Sequence, residues 1–327
     1  MNTLDFRELR VVALGGGHGL AATLSSLRKL TSKITAIVTV ADNGGSSGRL
    51  REEFSIMPPG DLRMALTALC GDDEWGRSWA EILQYRFTSE GDLNGHPLGN
   101  LLLTALWDRD ADIVAGLDRV GSLLKVVGRV LPMAAEPLEI EGTFLTSIGR
   151  LVVRGQKEVA IAKGKLESFR LIPEQPQAHT ESLHAIKEAD VITMGPGSWI
   201  TSVLPHLMVP AQRIALVESR AKKILLLNLD AHPEISGDEY AGYSPEEHLQ
   251  LLNNYAPEIK FDYVVADQSG IRDKALLESL ENEVNKIGGI GGKLVVADLR
   301  RNPGGIHHDI SKLISTLSHI FEEILVG

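Results

Sequence analysis

The strongest constraint on this chain lies in its first forty residues. Arg10-Val11-Val12-Ala13-Leu14 is a short apolar run stopped by Gly15-Gly16-Gly17-His18-Gly19. An apolar run ended by glycines reads as a buried strand. Leu20, Leu24, Leu27 and Leu30 then recur at helical spacing, and residues 34–41 form a second, nearly continuous apolar run. Strands apolar on both faces belong to parallel sheets covered by helices. A strand–helix–strand unit of this length is a right-handed crossover.

The same alternation resumes late in the chain. Residues 191–194, 224–228, 263–266 and 294–297 read as strands, with helices from about 200, at 245–255, at 272–285 and at 309–325. Residues 77–124 read as mostly helical, interrupted around 91–97. Residues 128–172 differ, with short strands separated by turns. At about 45 residues this stretch is marginal as a free-standing unit, so it reads as a β-rich insertion. The expectation is one α/β domain over 1–327, a Rossmann-type doubly wound, mainly parallel sheet carrying that insertion.

Composition removes whole classes of function. A formal net charge of −10 gives no broad basic footprint, so no nucleic acid is expected as a partner. No apolar run approaches the roughly 18–20 residues of a membrane span. Residues 1–10 carry Asp5 and Glu8 and no basic segment ahead of an apolar one, unlike a secretory signal. Cytoplasmic residence follows as an expectation. The single cysteine, Cys70, leaves no intramolecular disulfide and no multi-cysteine metal site.

Glycine is in surplus, 32 of 327 residues, and its placement is informative. The clusters at 15–19, 44–48, 195–197 and 304–305 follow strands, whereas that at 288–292 precedes one. Ligands of open α/β sheets bind beyond the carboxyl ends of the strands, so the first four share the ligand edge and the fifth reads as a chain reversal. Gly15, Gly16, Gly17, His18 and Gly19 form either a phosphate cradle at a helix N-terminus or a plain tight turn. The dinucleotide fingerprint is missing because Leu20 and Ala21 stand where its third glycine belongs, which argues against a nicotinamide enzyme. Asp42, ending the second strand, can address a ribose hydroxyl or a cation. Asn43, Gly44, Ser46 and Ser47 add hydrogen-bonding groups, and Arg49 and Arg51 can meet phosphate or carboxylate. Asp61 is placed as the N-cap of a helix over 62–69. Gly195, Gly197 and Ser198 form a second helix entry, with capping as the alternative role of Ser198. His96 and Asn100 precede or open an apolar helix and are either ligand contacts or internal hydrogen-bonding groups.

Gly15–Leu20, the run Val38-Thr39-Val40-Ala41-Asp42-Asn43-Gly44-Gly45-Ser46-Ser47-Gly48-Arg49-Leu50-Arg51 and Pro58-Pro59-Gly60-Asp61-Leu62-Arg63 together resemble the YvcK family of bacterial gluconeogenesis factors. His96-Pro97-Leu98-Gly99-Asn100-Leu101-Leu102 and Gly195-Pro196-Gly197-Ser198 with Thr201-Ser202-Val203-Leu204-Pro205 add to the likeness. It spans about residues 11–320.

The resemblance implies a CofD-like fold and binding of a nucleotide-activated sugar, UDP-N-acetylglucosamine above all. It implies no catalytic residue, no required cofactor, a role in cell shape and in growth on gluconeogenic carbon, and cell-wall synthesis proteins as partners. Self-association into a homo-oligomer is a further partner expectation. The alternative is the distant relative's activity, transfer of a phospholactyl or phosphoenolpyruvyl-type group to a deazaflavin, with Asp42 holding Mg2+. The chain departs from the family at Asn228-Leu229-Asp230-Ala231-His232-Pro233-Glu234, at His307-His308-Asp309 and at Leu280, which bears on affinity and sugar choice.

Overall fold

A computed structural model describes residues 5–229, 244–271, 273–288 and 291–326. The opening unit is β1 (Arg10–Gly15), α1 (Gly17–Leu27) and β2 (Lys33–Val38). Leu20, Leu24 and Leu27 turn one apolar face of α1 onto the sheet and are at most 1% exposed. Full burial of each such side chain stabilises by roughly 2 kcal/mol.

A helical layer follows: α2 (Gly45–Phe54), α3 (Pro59–Ala68), α4 (Glu74–Gln84), α5 (Leu98–Asp110) and α6 (Ile113–Leu124). The chain returns to the sheet as β3 (Arg129–Pro132). It then leaves as β4 (Glu139–Thr146), β5 (Gly149–Arg154), α7 (Gln156–Ala160) and β6 (Lys165–Ile172). The second half runs α8 (Thr180–Glu188), β7 (Val191–Met194), a π-helical turn Trp199–Val203, α9 (Leu204–Met208), α10 (Pro210–Glu218) and β8 (Lys222–Leu226). It ends with α11 (Pro245–Tyr255), β9 (Tyr263–Asp267), α12 (Lys274–Gly288), β10 (Lys293–Ala297) and α13 (Ile310–Val326).

The main sheet has the order β10-β9-β8-β7-β1-β2-β3, and every pairing in it is parallel. The chain builds outward from β1 in one direction through β2 and β3, then restarts beside β1 with β7 and builds the other way. The gap between the carboxyl ends of β1 and β7 is therefore the topological switch point, where open α/β sheets bind ligands. β1, β7 and β9 are almost wholly buried, as continuous apolar runs require, while the edge strand β10 is only half covered.

Two expectations need correction. The β-rich insertion does not begin at 128. Arg129–Pro132 pairs in register with β2, with Ala36 opposite Val130, and is the edge of the main sheet. The separate antiparallel sheet is β5-β4-β6. Likewise the loop after the second strand is shorter than expected, because Gly45 already opens α2. The run Asp230–Glu234 lies outside the described residues, as do Gly289 and Ile290 of the 288–292 cluster. No single described helix is long and apolar enough to cross a membrane.

Candidate functional site

The glycines beside the switch point do two different jobs. A Cβ on Gly16 would lie 2.4 Å from Thr39 Cγ2 and 2.6 Å from Asp61 Oδ2, and one on Gly19 would lie 2.1 Å from the Pro196 carbonyl oxygen. The lack of a side chain lets Thr39 and Asp61 pack directly on Gly16 and lets the Pro196 backbone pack on Gly19. Gly17 (φ 58°) and Gly45 (φ 47°) hold left-handed backbone and have nothing within 4 Å on the side-chain face. They leave open space at the mouths of α1 and α2. The turn after β7 is tied in by Thr23 Oγ1 donating to Gly195 O at 3.2 Å. Asn228 Oδ1 accepts from Gly197 N–H at 2.8 Å, and Ser198 Oγ accepts from Thr201 N–H at 3.1 Å, capping the π-helical turn.

Helix α1 has neither a side-chain cap nor an acidic residue in its first turn. A helix start left this way presents free N–H groups and the positive end of its dipole. The nearby carboxylate comes from elsewhere: Asp61 on α3 accepts from Gly17 N–H. Asp61 lies inside the first turn of α3, not at its N-cap, which is Pro58. This corrects the capping expectation. Asp42 is the second carboxylate. Its Oδ1 accepts from Gly44 N–H at 2.8 Å, and Oδ2 lies against the Cα of Gly60, where a Cβ would approach to 2.7 Å. Ser47 Oγ accepts from Gly60 N–H at 3.0 Å beside it.

Burial, and after it the negative charge of Asp42, push the Asp61 carboxyl up to about 7, against the pull of Gly17 N–H and Arg63. Arg63 is buried. Burial first and Arg86 second push its guanidinium down to about 10, against the pull of Asp61 and Asp42. Among the described residues no group of three or more histidine, cysteine or carboxylate side chains is arranged to hold a metal. Asp42 and Asp61 alone suit a hard cation that takes its other oxygens from ligand phosphate and water, the usual habit of Mg2+.

Several sequence candidates are committed to one another. Asn43 Nδ2 donates to Glu158 Oε2 at 2.8 Å and its Oδ1 accepts from Lys157 N–H at 3.0 Å, so it clamps α7 of the insertion to the Asp42 loop. Ser46 Oγ bonds His96 Nδ1 at 2.8 Å and accepts from Asn100 Nδ2 at 3.0 Å. Asn100 Oδ1 accepts in turn from Arg63 Nε at 2.8 Å. Ser46, His96, Asn100 and Arg63 are all buried, so this chain props α2 and α3 from below. Arg49 donates to the carbonyl oxygens of Asp92 and Asn94 at 2.9 and 2.7 Å, pinning the loop before α5.

On the far side the candidate His18 meets residues not singled out as site candidates. The His18 and His307 rings lie 6.4 Å apart, and burial, then His307 and Arg63, lower the His18 pKa. The segment carrying His307 is folded back by Asp267, whose Oδ2 accepts from Leu299 N–H at 2.7 Å and whose Oδ1 meets Arg300 Nε at 3.3 Å. Asp267 ends an apolar run as Asp42 does, and that was the available signal. Arg63 sits within the quoted Pro58–Arg63 run. The groove of about 290 Å3 lined by Asp118, Ser122, Lys125 and Arg129 lies at the amino end of β3, away from the crevice.

A parallel sheet that builds both ways from β1, with glycine turns and two carboxylates at its switch point, is a doubly wound α/β fold of the Rossmann type. The sequence profile of 2-phospho-L-lactate transferase CofD matches residues 11–291. A Mycobacterium tuberculosis protein named "Putative gluconeogenesis factor" is 45% identical over 314 residues, 95% of this chain and 90% of that protein. A Listeria monocytogenes "Gluconeogenesis factor" is 30% identical over 313 residues, covering 94% of each. A crystal structure of a Bacillus halodurans protein superposes with a TM-score of 0.80 at 33% identity, over 98% of this chain and 100% of that one. The chain belongs to the YvcK family of gluconeogenesis factors, within the CofD-like superfamily.

Proposed function

We propose that this protein binds a nucleotide-activated sugar, UDP-N-acetylglucosamine in particular, and acts as a regulator without turning it over. The observation that carries the reading is the start of α1 at the switch point, which has no cap from its own N-cap residue and meets Asp61 only at Gly17 N–H, with open space over Gly17 and Gly45. The diphosphate would take the α1 N-terminus, as anions do at such sites. Asp42 would address ribose or share a cation with the diphosphate. Mg2+, when bound, would neutralise charge between the two carboxylates and the phosphates. The signal would reach a partner through the clamp between Asn43 and α7. A link to cell-wall synthesis, cell shape and growth on gluconeogenic carbon follows from family membership.

Calorimetry with UDP-N-acetylglucosamine, with and without Mg2+, tests the reading. Saturable heat supports it. No heat at millimolar ligand, with folded protein, removes it.

The CofD match favours a second reading, transfer of a phospholactyl-type group to a deazaflavin, because Asp42 and Asp61 also suit Mg2+ there. Incubation with a deazaflavin and guanylylated phospholactate or phosphoenolpyruvate, read by mass spectrometry, decides it. Absence of adduct removes it.

A further inference from the structure

His206, on α9, is fully buried and plays no part in the binding reading so far. Its Nε2 lies 3.2 Å from the carbonyl oxygen of Gly15. A carbonyl only accepts, so Nε2 carries the hydrogen and Nδ1 is left as an acceptor. Gln212 Nε2 lies 3.0 Å from that Nδ1 and also donates to the His206 carbonyl oxygen at 3.0 Å. Gln212 therefore fixes both the tautomer and the orientation of the ring. Burial pushes the imidazole down to about 4, so it is neutral at ordinary pH.

The Gly15 oxygen has a second donor, Thr39 N–H at 3.0 Å, from the residue just past β2. In a planar trans peptide the carbonyl of one residue and the N–H of the next point in opposite directions. Gly16 keeps extended backbone (φ −163°, ψ 170°). With the Gly15 oxygen held toward β2 and α9, the Gly16 N–H points the other way, toward the gap between β1 and β7. Among the described residues it has no backbone acceptor. Two successive glycines give this peptide unusual freedom to rotate. A rotated peptide would turn a carbonyl oxygen, not an N–H, toward an anion.

We propose that His206 is a positioning residue for the anion site: it locks the Gly15–Gly16 peptide so that the Gly16 N–H faces the bound diphosphate. The proposal rests on the crevice being a diphosphate site, as argued above. A donor fixed beforehand improves binding because no ordering cost falls at the moment of association.

The test uses the full chain, labelled with 15N, and inorganic pyrophosphate as probe, at about pH 6, where Asp61 holds its proton. In the wild type the Gly16 amide resonance moves as pyrophosphate saturates. His206→Leu keeps an apolar side chain of similar volume but lacks the donor. It weakens pyrophosphate by about tenfold or more, the loss of one hydrogen bond to a charged group, and its Gly16 amide ceases to respond. His206→Gln, whose Nε2 reaches the same carbonyl, recovers most of the affinity. Should His206→Leu fail to fold, Gln212→Leu frees the ring without emptying its site and carries the same expectation. The imidazole 15N spectrum of the wild type shows hydrogen on Nε2 alone from about pH 5 to about pH 8, and this needs no variant at all. Hydrogen on Nδ1, or a folded His206→Leu with wild-type pyrophosphate affinity and an unchanged Gly16 response, overturns the proposal. Wild type that binds pyrophosphate but not UDP-N-acetylglucosamine removes the nucleotide-sugar reading and leaves His206 its role. Wild type that binds no pyrophosphate at millimolar concentration removes both.

Discussion

Replacing Asp61 by asparagine turns the unusual acidity of this carboxyl into a stability difference that changes with pH. Burial and the charge of Asp42 raise its pKa from 3.8 to about 7 in the folded protein. The folded state then holds the proton more tightly than the unfolded state. Stability is fully present below the unfolded value and is lost as pH rises through the folded one. Integrated from pH 5 to pH 8, the loss is roughly 2–3 kcal/mol for the wild type. The amide of Asp61→Asn cannot ionise, so the variant lacks this slope. It still offers an oxygen to Gly17 N–H, so its fold is retained. Urea denaturation at the two pH values measures both proteins. The stability of Asp61→Asn minus that of wild type should be roughly 2–3 kcal/mol larger at pH 8 than at pH 5. A difference constant within about 0.5 kcal/mol would refute the reasoning, because Asp61 would then ionise as an ordinary surface carboxylate.

Three further outcomes follow from single contacts. Gly19→Ala places a Cβ 2.1 Å from the Pro196 oxygen. It should cost about 1–3 kcal/mol or more, seen as a lowered Tm, and a Tm equal to wild type would mean α1 does not pack on that turn. Asp42→Ala loses one hydrogen bond to Gly44 N–H. It should cost about 1 kcal/mol in stability while weakening UDP-N-acetylglucosamine by about tenfold or more, measured by calorimetry. Unchanged affinity would make Asp42 a turn residue only. Asn43→Ala removes both bonds to α7. Amide hydrogen exchange over residues 139–172 should speed up, with about 1–2 kcal/mol lost locally; unchanged exchange would show that the insertion is held by its other contacts.

The sheet was legible because buried parallel strands leave continuous apolar runs, and the leucine spacing of α1 named the face that is now buried. Residues 129–133 also read as a short strand, but its place at the edge of the main sheet was not legible. Four residues ending in proline carry no period, and membership of a sheet is a long-range fact that local pattern does not encode. That four glycine clusters follow strands was legible from order alone. The destinations of side chains were not. Ser46 meets His96 across 50 positions and Asn43 meets Glu158 across 115. Both pairs look like free loop polars in the sequence. For Asp61 the missed clue was local: Pro59 at the first turn already favours a helix start three residues earlier.

On the proposed reading, a diphosphate seat that also holds two carboxylates sets its own condition for binding. A bare diphosphate arriving at the α1 N-terminus meets Asp61 already accepting from Gly17 N–H, with Asp42 close enough to perturb it. Like charges at this range repel strongly where water is partly excluded. Binding therefore requires either a proton on Asp61 or a cation between the carboxylates and the phosphates. The two conditions separate experimentally. With the proton, affinity falls about tenfold per pH unit above about pH 7, and Asp61→Asn abolishes that fall. With the cation, affinity depends on Mg2+ concentration, and Asp61→Asn loses the Mg2+ response while binding well without it. An affinity for UDP-N-acetylglucosamine that responds to neither pH nor Mg2+ places the diphosphate away from Asp61, and the α1 N-terminus would no longer be its seat.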